Sequence, residues 1–249
     1  MKIVYSLVLT LSLFGQDAAI AAMNTSDMLK PGEKQIGVFS PLRYSLNQSS
    51  EISTHPLFDL IIPNLRFKKR WIQSSTLGFA SEHYFSYPSL LLNTIARDGS
   101  GGILPANTRV PQILSWHNSV IASTKITDLW LSARLSLHTP IGAKAEQMPT
   151  IDLPFVYQRT SAYHYLYSMS AGLELDGRIQ TRWRYIVDIH YFYLNNPEHH
   201  QAVEQKTSLV YELTPTISIF FAYIFTAGHY PFGIDMRYFP FIDVIWRWQ

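Results

Sequence analysis

The sequence predicts an all-β fold, a transmembrane antiparallel up-and-down β-barrel of about 10–12 strands that follows a cleaved signal peptide. Charged residues make up only 15% of the 249 residues while aromatic residues reach 14%, although the mean hydropathy is +0.01. Apolar and polar residues alternate along many segments, and short turns between these segments alternate with long loops. A barrel with one lipid-facing and one polar surface has all of these properties.

The N-terminal residues predict export. Lys2 supplies a positive charge, Ile3–Phe14 forms an apolar run, and small residues follow at Ala19–Ala22. This pattern indicates a secretory signal peptide over residues 1–22, which leaves residues 23–249 as a single barrel domain. The run is shorter than the roughly 20 apolar residues of a spanning helix. The chain has no cysteine, so a disulfide scaffold is excluded.

The alternation is clearest between Arg178 and Leu194. Odd positions are apolar or aromatic apart from Thr181, whereas the even positions include Arg178, Arg182, Arg184, Asp188 and His190. Because successive side chains of a strand face opposite sides, this segment is predicted to be one long strand. A preceding strand is predicted over 163–175. Asp176-Gly177 between the two predicts a tight hairpin turn.

Other segments predict further strands and loops. The strands are expected at 35–46, 51–56, 65–69, 74–86, 113–124, 129–138, 206–213, 217–225 and 239–249, and the long loops at 88–111, 141–154, 195–204 and 228–235. Long loops at one end and short turns at the other are typical of outer-membrane barrels. About eleven candidate strands result, and because single-chain bacterial barrels have even numbers we expect ten or twelve.

The polar faces of these strands are assigned to the lumen. The candidate lumen residues are Arg43, Glu51, Glu82, Arg134, Glu174, Arg182, Arg184, Asp188, His190 and Glu212, with Arg178, Lys206, Asp243 and Arg247 as further members. A charged lumen predicts a pore, because the field in a narrow low-dielectric channel selects ions. Alternatively, the charges pair across neighbouring strands and fill the interior. We expect Arg182, Arg184 and Asp188 to lie at the constriction of the pore or in a network of paired charges inside the barrel.

A His-x-Ser pair, His117 and Ser119, provides an enzymatic alternative. Both side chains share one face of a strand, and a base beside a serine hydroxyl is the minimal activated nucleophile. The pair is similar to that of lipid A deacylases and of outer-membrane phospholipase, which attack lipid from the barrel exterior. The more apolar face of this strand carries Leu114, Trp116 and Val120. We therefore expect His117 and Ser119 to point inward.

The C-terminal segment carries a family resemblance. Ile242, Val244, Trp246 and Trp248 alternate, and the segment resembles the C-terminal signature strand of bacterial outer-membrane β-barrels. The resemblance implies the barrel assembly machinery as a partner, with Trp246 and Trp248 as the assembly signal. Residues 41–51 also look like the strand–turn–strand opening of many uncharacterised porin-like barrels. Because this likeness concerns an architecture, it supplies no substrate.

The expected function is a passive, porin-like channel for small solutes in the bacterial outer membrane, in contact with its lipids. No cofactor, metal or nucleic-acid partner is expected. The nine histidines show no metal-ligand spacing, and His199-His200 falls in a polar loop. Residues 66–70 form the longest basic run, and within it Lys68-Lys69-Arg70, near a strand end, is expected to meet lipid head groups. A lipid-acting hydrolase, a non-conducting structural or surface barrel, and a soluble β-sandwich are the alternatives.

Overall fold

The computed structural model describes residues 25–98, 102–143, 148–196, 198 and 201–249. The predicted signal peptide and the His199-His200 pair lie outside the described residues. The strands are β1 (Lys34–Gly37), β2 (Leu42–Asn47), β3 (Ser50–Thr54), β4 (Asn64–Gln73), β5 (Leu77–Ser86), β6 (Leu114–Ile126), β7 (Leu129–Ile141), β8 (Ser168–Gln180), β9 (Trp183–Leu194), β10 (Gln201–Glu212), β11 (Ile217–Tyr230) and β12 (Gly233–Trp248). The helices are α1 (Pro56–Asp59), α2 (Ser89–Ile95) and α3 (Pro154–Tyr165).

The twelve strands form one closed antiparallel barrel. Each strand pairs with its neighbour in sequence, and β1 pairs with β12 from Lys34 opposite Trp248 to Gly37 opposite Ile245. Closure leaves no free sheet edge, as a barrel within a bilayer requires. The predicted fold class is confirmed, and the strand number is the higher of the two expected values.

The two faces of the barrel wall differ as the alternation predicted. Leu135, Leu173 and Ile242 lie on the outer face and keep 61%, 59% and 59% of their surface exposed. Arg43 and Glu174 lie on the inner face and are buried, at 0% and 2% exposure. An apolar outer surface around a charged interior is the arrangement of transmembrane barrels.

The two ends of the barrel carry different connections. At one end, called the short-turn end, the chain turns at 48–49, 74–76, 127–128, 181–182 and 213–216. At the other, called the long-loop end, the longer connections are those that follow β3, β5, β7 and β9. The predicted long loop at 228–235 is wrong. β11 and β12 stay paired up to Tyr230 and Gly233, where Gly233 adopts a φ of +112° that favours glycine in a tight turn.

The predicted hairpin turn at Asp176-Gly177 is also wrong, because β8 continues to Gln180 and the turn lies at 181–182. Gly177 instead faces Tyr185 across the strand pair, and a Cβ at this position would come within 2.7 Å of the Tyr185 ring. From Ser168 to Arg178, even-numbered residues of β8 oppose even-numbered residues of β9, and the register shifts only where Gln180 opposes Trp183. The alternation therefore passes through the turn unbroken and imitates a single strand.

The strand predicted over 163–175 begins only at Ser168, and the residues before it form helix α3. Pro154 occupies the first turn of α3, where a backbone N–H would have no acceptor within the helix, so its absence removes no helical hydrogen bond. Leu166 ends the helix with a left-handed φ of 72°. Tyrosines at 163, 165 and 167 imitate strand alternation, but Tyr163 is buried in the interior as part of the helix.

The strand predicted over 35–46 is two strands, β1 and β2, joined by a turn at 38–41. Asp243 of β12 holds this turn. Its carboxylate accepts hydrogen bonds from the backbone N–H groups of Val38 at 2.9 Å and Phe39 at 3.2 Å, and from the Ser40 hydroxyl. Asp243, a further candidate for the lumen, thus secures the seam where the barrel closes.

Apolar side chains pack the connections at the long-loop end against one another. The buried members of this cluster are Ile62, Leu91, Leu92, Ile95, Leu104, Ile113, Met148, Ile151, Val156 and Tyr163. They come from the loop after β3, from α2 and its flanks, and from α3 and the residues before it. This packing fixes the point at which α3 enters the barrel.

Among the described residues, no helix is both long and apolar enough to cross a membrane.

Candidate functional site

A cavity of about 130 Å³ occupies the long-loop half of the lumen. It has room for several water molecules. Its charged lining residues are Arg66, Glu82, Arg134, Arg159, Asp188, Glu204 and Lys206, and its histidines are His117, His138 and His190. Serine hydroxyls contribute much of the remaining polar lining. The cavity therefore combines charged and polar groups with apolar side chains such as Met169 and Phe192, inside a wall whose outer face is apolar.

One side of the cavity carries an excess of positive charge. Glu82 of β5 pairs with Arg66 of β4 at 3.5 Å and with Arg134 of β7. Lys68 is the cross-strand neighbour of Glu82, so two arginines and a lysine surround one carboxylate. Arg134 also donates a hydrogen bond of 3.1 Å to the Ser119 hydroxyl. Opposite charges held this close fix each other's geometry.

The opposite side of the cavity is more evenly balanced. Lys206 of β10 lies 3.1 Å from Asp188 of β9, and His190 lies 3.4 Å from the same carboxylate. Glu204 of β10 accepts hydrogen bonds from Arg159 of α3 at 2.6 and 2.9 Å. The guanidinium of Arg159 also lies 5.6 Å from the centre of the Phe192 ring. The acids on this side therefore each have a basic partner.

Helix α3 crosses the lumen and narrows it. On one side, Gln158 donates hydrogen bonds to Glu204 at 3.0 Å and to Thr226 at 3.2 Å. On the other side, the Tyr163 ring packs edge-on against His138, with ring centres 5.4 Å apart. Sequence reasoning missed this helix because it packs on several sides, which leaves no amphipathic period of 3.6 residues to detect.

The short-turn half of the lumen is packed. Arg43 and Glu51 form a buried two-point ion pair at 2.7 and 2.9 Å, and Arg184 pairs with Asp176. An apolar cluster also faces inward, with Ile186, Val210, Phe220, Phe241 and Ile245 as its buried members. This cluster was not predicted, since the inner face of the strands was expected to be polar throughout.

The segment Thr25–Leu29, called the strap, lies inside this packed half. The Ser26 backbone N–H donates to the Ser123 hydroxyl at 2.7 Å, and the Leu29 backbone N–H donates to Glu51 at 3.2 Å. Thr25 and Ser26 are buried. No periodicity marks these residues in the sequence, so sequence reasoning could not place them in the lumen.

The predicted lumen residues fall into distinct positions. Glu82, Arg134, Asp188 and His190 line the cavity, whereas Arg43, Glu51, Glu174 and Arg184 lie in the packed short-turn half. Glu212 pairs at 3.3 Å with Arg178 at the exposed short-turn end. Arg182 lies in the turn at 181–182 and is exposed, so its assignment to the lumen is wrong. The reason is the position of the turn, which removes Arg182 from the strand pattern.

The His117 and Ser119 side chains both line the cavity. Ser119 shares a hydrogen bond of 2.9 Å with Ser136, and the His117 ring stacks on His138 with ring centres 3.7 Å apart. Both side chains point inward, as the sequence predicted. Because neither faces the lipid surface, the arrangement does not support a lipid-acting hydrolase.

Trp246 and Trp248 lie at the short-turn end of β12, on the outer face, with 40% and 41% of their surface exposed. They pair with Ile36 and Lys34 of β1 across the closing seam. Their role as an assembly signal stays a prediction.

A closed twelve-strand barrel with an apolar outer face and a charged interior belongs to the class of outer-membrane β-barrels. The structure is similar to the NanC porin, with a TM-score of 0.54 and 10% identity over 86% of this chain and 97% of that chain. It is also similar to an outer membrane channel from Pseudomonas putida F1, with a TM-score of 0.52 and 8% identity over 90% of this chain and 98% of that chain. No family model and no curated protein matches the sequence. The chain thus has the fold of outer-membrane porins, as its sequence resemblance implied.

Proposed function

We propose that this protein is an outer-membrane channel through which small polar solutes pass passively. The observation that supports it best is the charged cavity inside the closed barrel, between α3 and the cation-rich wall around Glu82. Polar side chains in the cavity replace part of the hydration that a solute loses when it enters a narrow channel with low-dielectric walls. The structural relatives are named a porin and a channel.

The size of the cavity sets the expected solutes. Its volume is about 130 Å³, and α3 is tied to the wall on both of its sides. Only small solutes fit such a space without rearrangement of the helix. We therefore expect low conductance and exclusion of oligomeric solutes.

Planar-bilayer recording of the purified protein tests this proposal. We expect discrete current steps, and we expect Arg134→Met to change their size or ion selectivity, because it removes a cation from the cavity wall. Arg182→Ala is the matched control, since Arg182 is exposed in a turn outside the lumen. If properly inserted protein gives no current steps at any voltage, the proposed channel function is wrong.

A non-conducting structural barrel is the second candidate. The observation in its favour is the packed short-turn half, where buried ion pairs and the apolar cluster around Phe220 fill the lumen. This function predicts a barrel that inserts fully, resists heat denaturation and carries no current. The same bilayer experiment therefore separates the two functions.

We also propose that Trp246 and Trp248 are read by the barrel assembly machinery. Their exposed position on the last strand supports this role. Trp248→Ala is expected to lower the fraction of folded barrel in outer membranes, measured by the heat-dependent shift in gel mobility. Trp71→Ala is the control, because Trp71 is also exposed at a strand end but lies in β4. Equal folded fractions for both variants would contradict the assembly role.

A further inference from the structure

The strap, Thr25–Leu29, occupies the lumen without belonging to the barrel wall. We propose that the strap is a gate, which closes the short-turn mouth of the channel and opens it by leaving the lumen. This inference rests on the proposed channel function.

The strap is held by contacts with several strands of the wall. Ser26 N–H donates to Ser123 of β6 at 2.7 Å, and Lys68 of β4 donates to the Asp27 carbonyl at 2.8 Å. Leu29 N–H donates to Glu51 of β3 at 3.2 Å. The strap therefore runs across the inner faces of β3 to β6 rather than along one of them.

The strap and the apolar cluster fill different sides of the short-turn half. On the β9–β12 side of the short-turn half, the inward-facing cluster around Phe220 and Phe241 fills the lumen from the wall itself. On the β3–β6 side, the strap lies over the charged residues Glu51 and Lys68, both of which are buried. The cavity lies immediately beyond, towards the long-loop end, and no strap residue lines it.

The strap is held by fewer bonds than the strands of the wall. The wall strands are joined by continuous backbone ladders, for example along the whole of β6 and β7. The three hydrogen bonds named above each join a side chain of the wall to the strap backbone, and an ion pair of 3.7 Å between Asp27 and Arg70 of β4 lies at a partly exposed position. Such bonds can be exchanged for bonds to water at small net cost, so opening requires no change in the barrel.

Gly78 of β5 provides a way to displace the strap without changing a charge. A Cβ at this position would lie 2.1 Å from the Ser26 Oγ and 3.0 Å from the Ser26 Cβ. Gly78→Val is therefore incompatible with the closed strap. Gly177→Val is the matched control, because a Cβ there would meet the Tyr185 ring instead.

The test combines conductance with thiol accessibility. The chain has no cysteine, so Ser132→Cys gives a single reporter thiol. Ser132 is buried, and its hydroxyl lies 2.8 Å from the Ser123 hydroxyl that binds the strap. In the Gly78→Val background we expect a charged thiol reagent to label the thiol at position 132 about tenfold faster, because the displaced strap no longer covers this position. We also expect a larger single-channel conductance, whereas Gly177→Val should change neither property.

A double variant tests the gate independently, in case Gly78→Val misfolds. The double variant Ser26→Cys, Ser123→Cys is expected to form a disulfide that holds the strap in the lumen. The conductance should then be lower than that of the unchanged protein, and it should recover when the disulfide is reduced. Unchanged labelling and conductance in Gly78→Val, or equal conductance of the oxidised and reduced double variant, would overturn the gate. If no variant conducts, the channel function fails, and the labelling rates alone still decide whether the strap opens the lumen.

Discussion

Arg159 of α3 and Glu204 of β10 form a two-point ion pair, with nitrogen–oxygen distances of 2.6 and 2.9 Å. Both side chains are almost fully buried. The pair joins the helix inside the barrel to the barrel wall, so it sets the width of the cavity next to it. Gln158 supports the same carboxylate from the preceding position of the helix.

Arg159→Met is expected to lower the free energy of unfolding by about 3–5 kcal/mol, because Glu204 is left as a buried charge without its partner. Denaturant unfolding in detergent micelles measures this loss. The double variant Arg159→Met, Glu204→Met should recover most of it, since no unpaired charge remains. A loss of less than about 1 kcal/mol in the single variant would contradict a structural role for the pair.

Arg184 and Arg182 are close in sequence and should respond differently to substitution. Arg184→Ala leaves Asp176 buried without the arginine that pairs with it, and we expect a loss of about 3 kcal/mol. Arg182→Ala changes an exposed turn residue and should stay within about 0.5 kcal/mol of the unchanged protein. Denaturant midpoints of the two variants provide the comparison. Equal losses would place Arg182 in the lumen after all.

Asp243→Ala is expected to loosen the seam between β1 and β12. The carboxylate accepts hydrogen bonds from Val38, Phe39 and Ser40, and its removal leaves the turn between β1 and β2 without these acceptors. We expect a loss of about 2 kcal/mol or more. Hydrogen exchange should increase first at Gly37 and Val38, while β6 and β7 remain protected. Uniform exchange across the barrel would argue against a local role.

His55, in the connection after β3, should make stability depend on pH. Burial lowers the pKa of His55 below its usual value of 6.5, although Asp59 and Asp243 oppose this shift. Its Nε2 lies 2.5 Å from the Phe39 carbonyl. The unfolded chain then binds more protons than the folded protein below about pH 6.5, so stability should fall as the pH drops through that value.

The matched variant is His55→Gln, which keeps a donor for the Phe39 carbonyl but does not titrate. Its unfolding free energy should vary less between about pH 5 and pH 7 than that of the unchanged protein. Identical pH profiles for the two proteins would show that the pKa of His55 is the same in the folded and unfolded states, which would contradict the prediction.

Alternation predicted the wall of the barrel because each strand has lipid on one side and a polar interior on the other. This pattern placed Leu135 outside and Arg134 inside, and it correctly oriented His117 and Ser119. It could not locate the turn at 181–182. Except at Gln180 and Trp183 beside the turn, residues that face each other on β8 and β9 are both even-numbered or both odd-numbered, so the alternation does not show where the chain reverses.

The sequence by itself determined the all-β class, the closed barrel and the face on which most charged residues lie, because the requirements of a bilayer repeat along every strand. Tertiary structure alone decided what occupies the lumen: α3, the strap and the apolar cluster around Phe220. Each of these contacts several strands that are distant in sequence. Their positions depend on packing and hydrogen bonds inside the closed barrel. Such contacts produce no regular spacing of apolar and polar residues along the sequence, so no pattern could predict them.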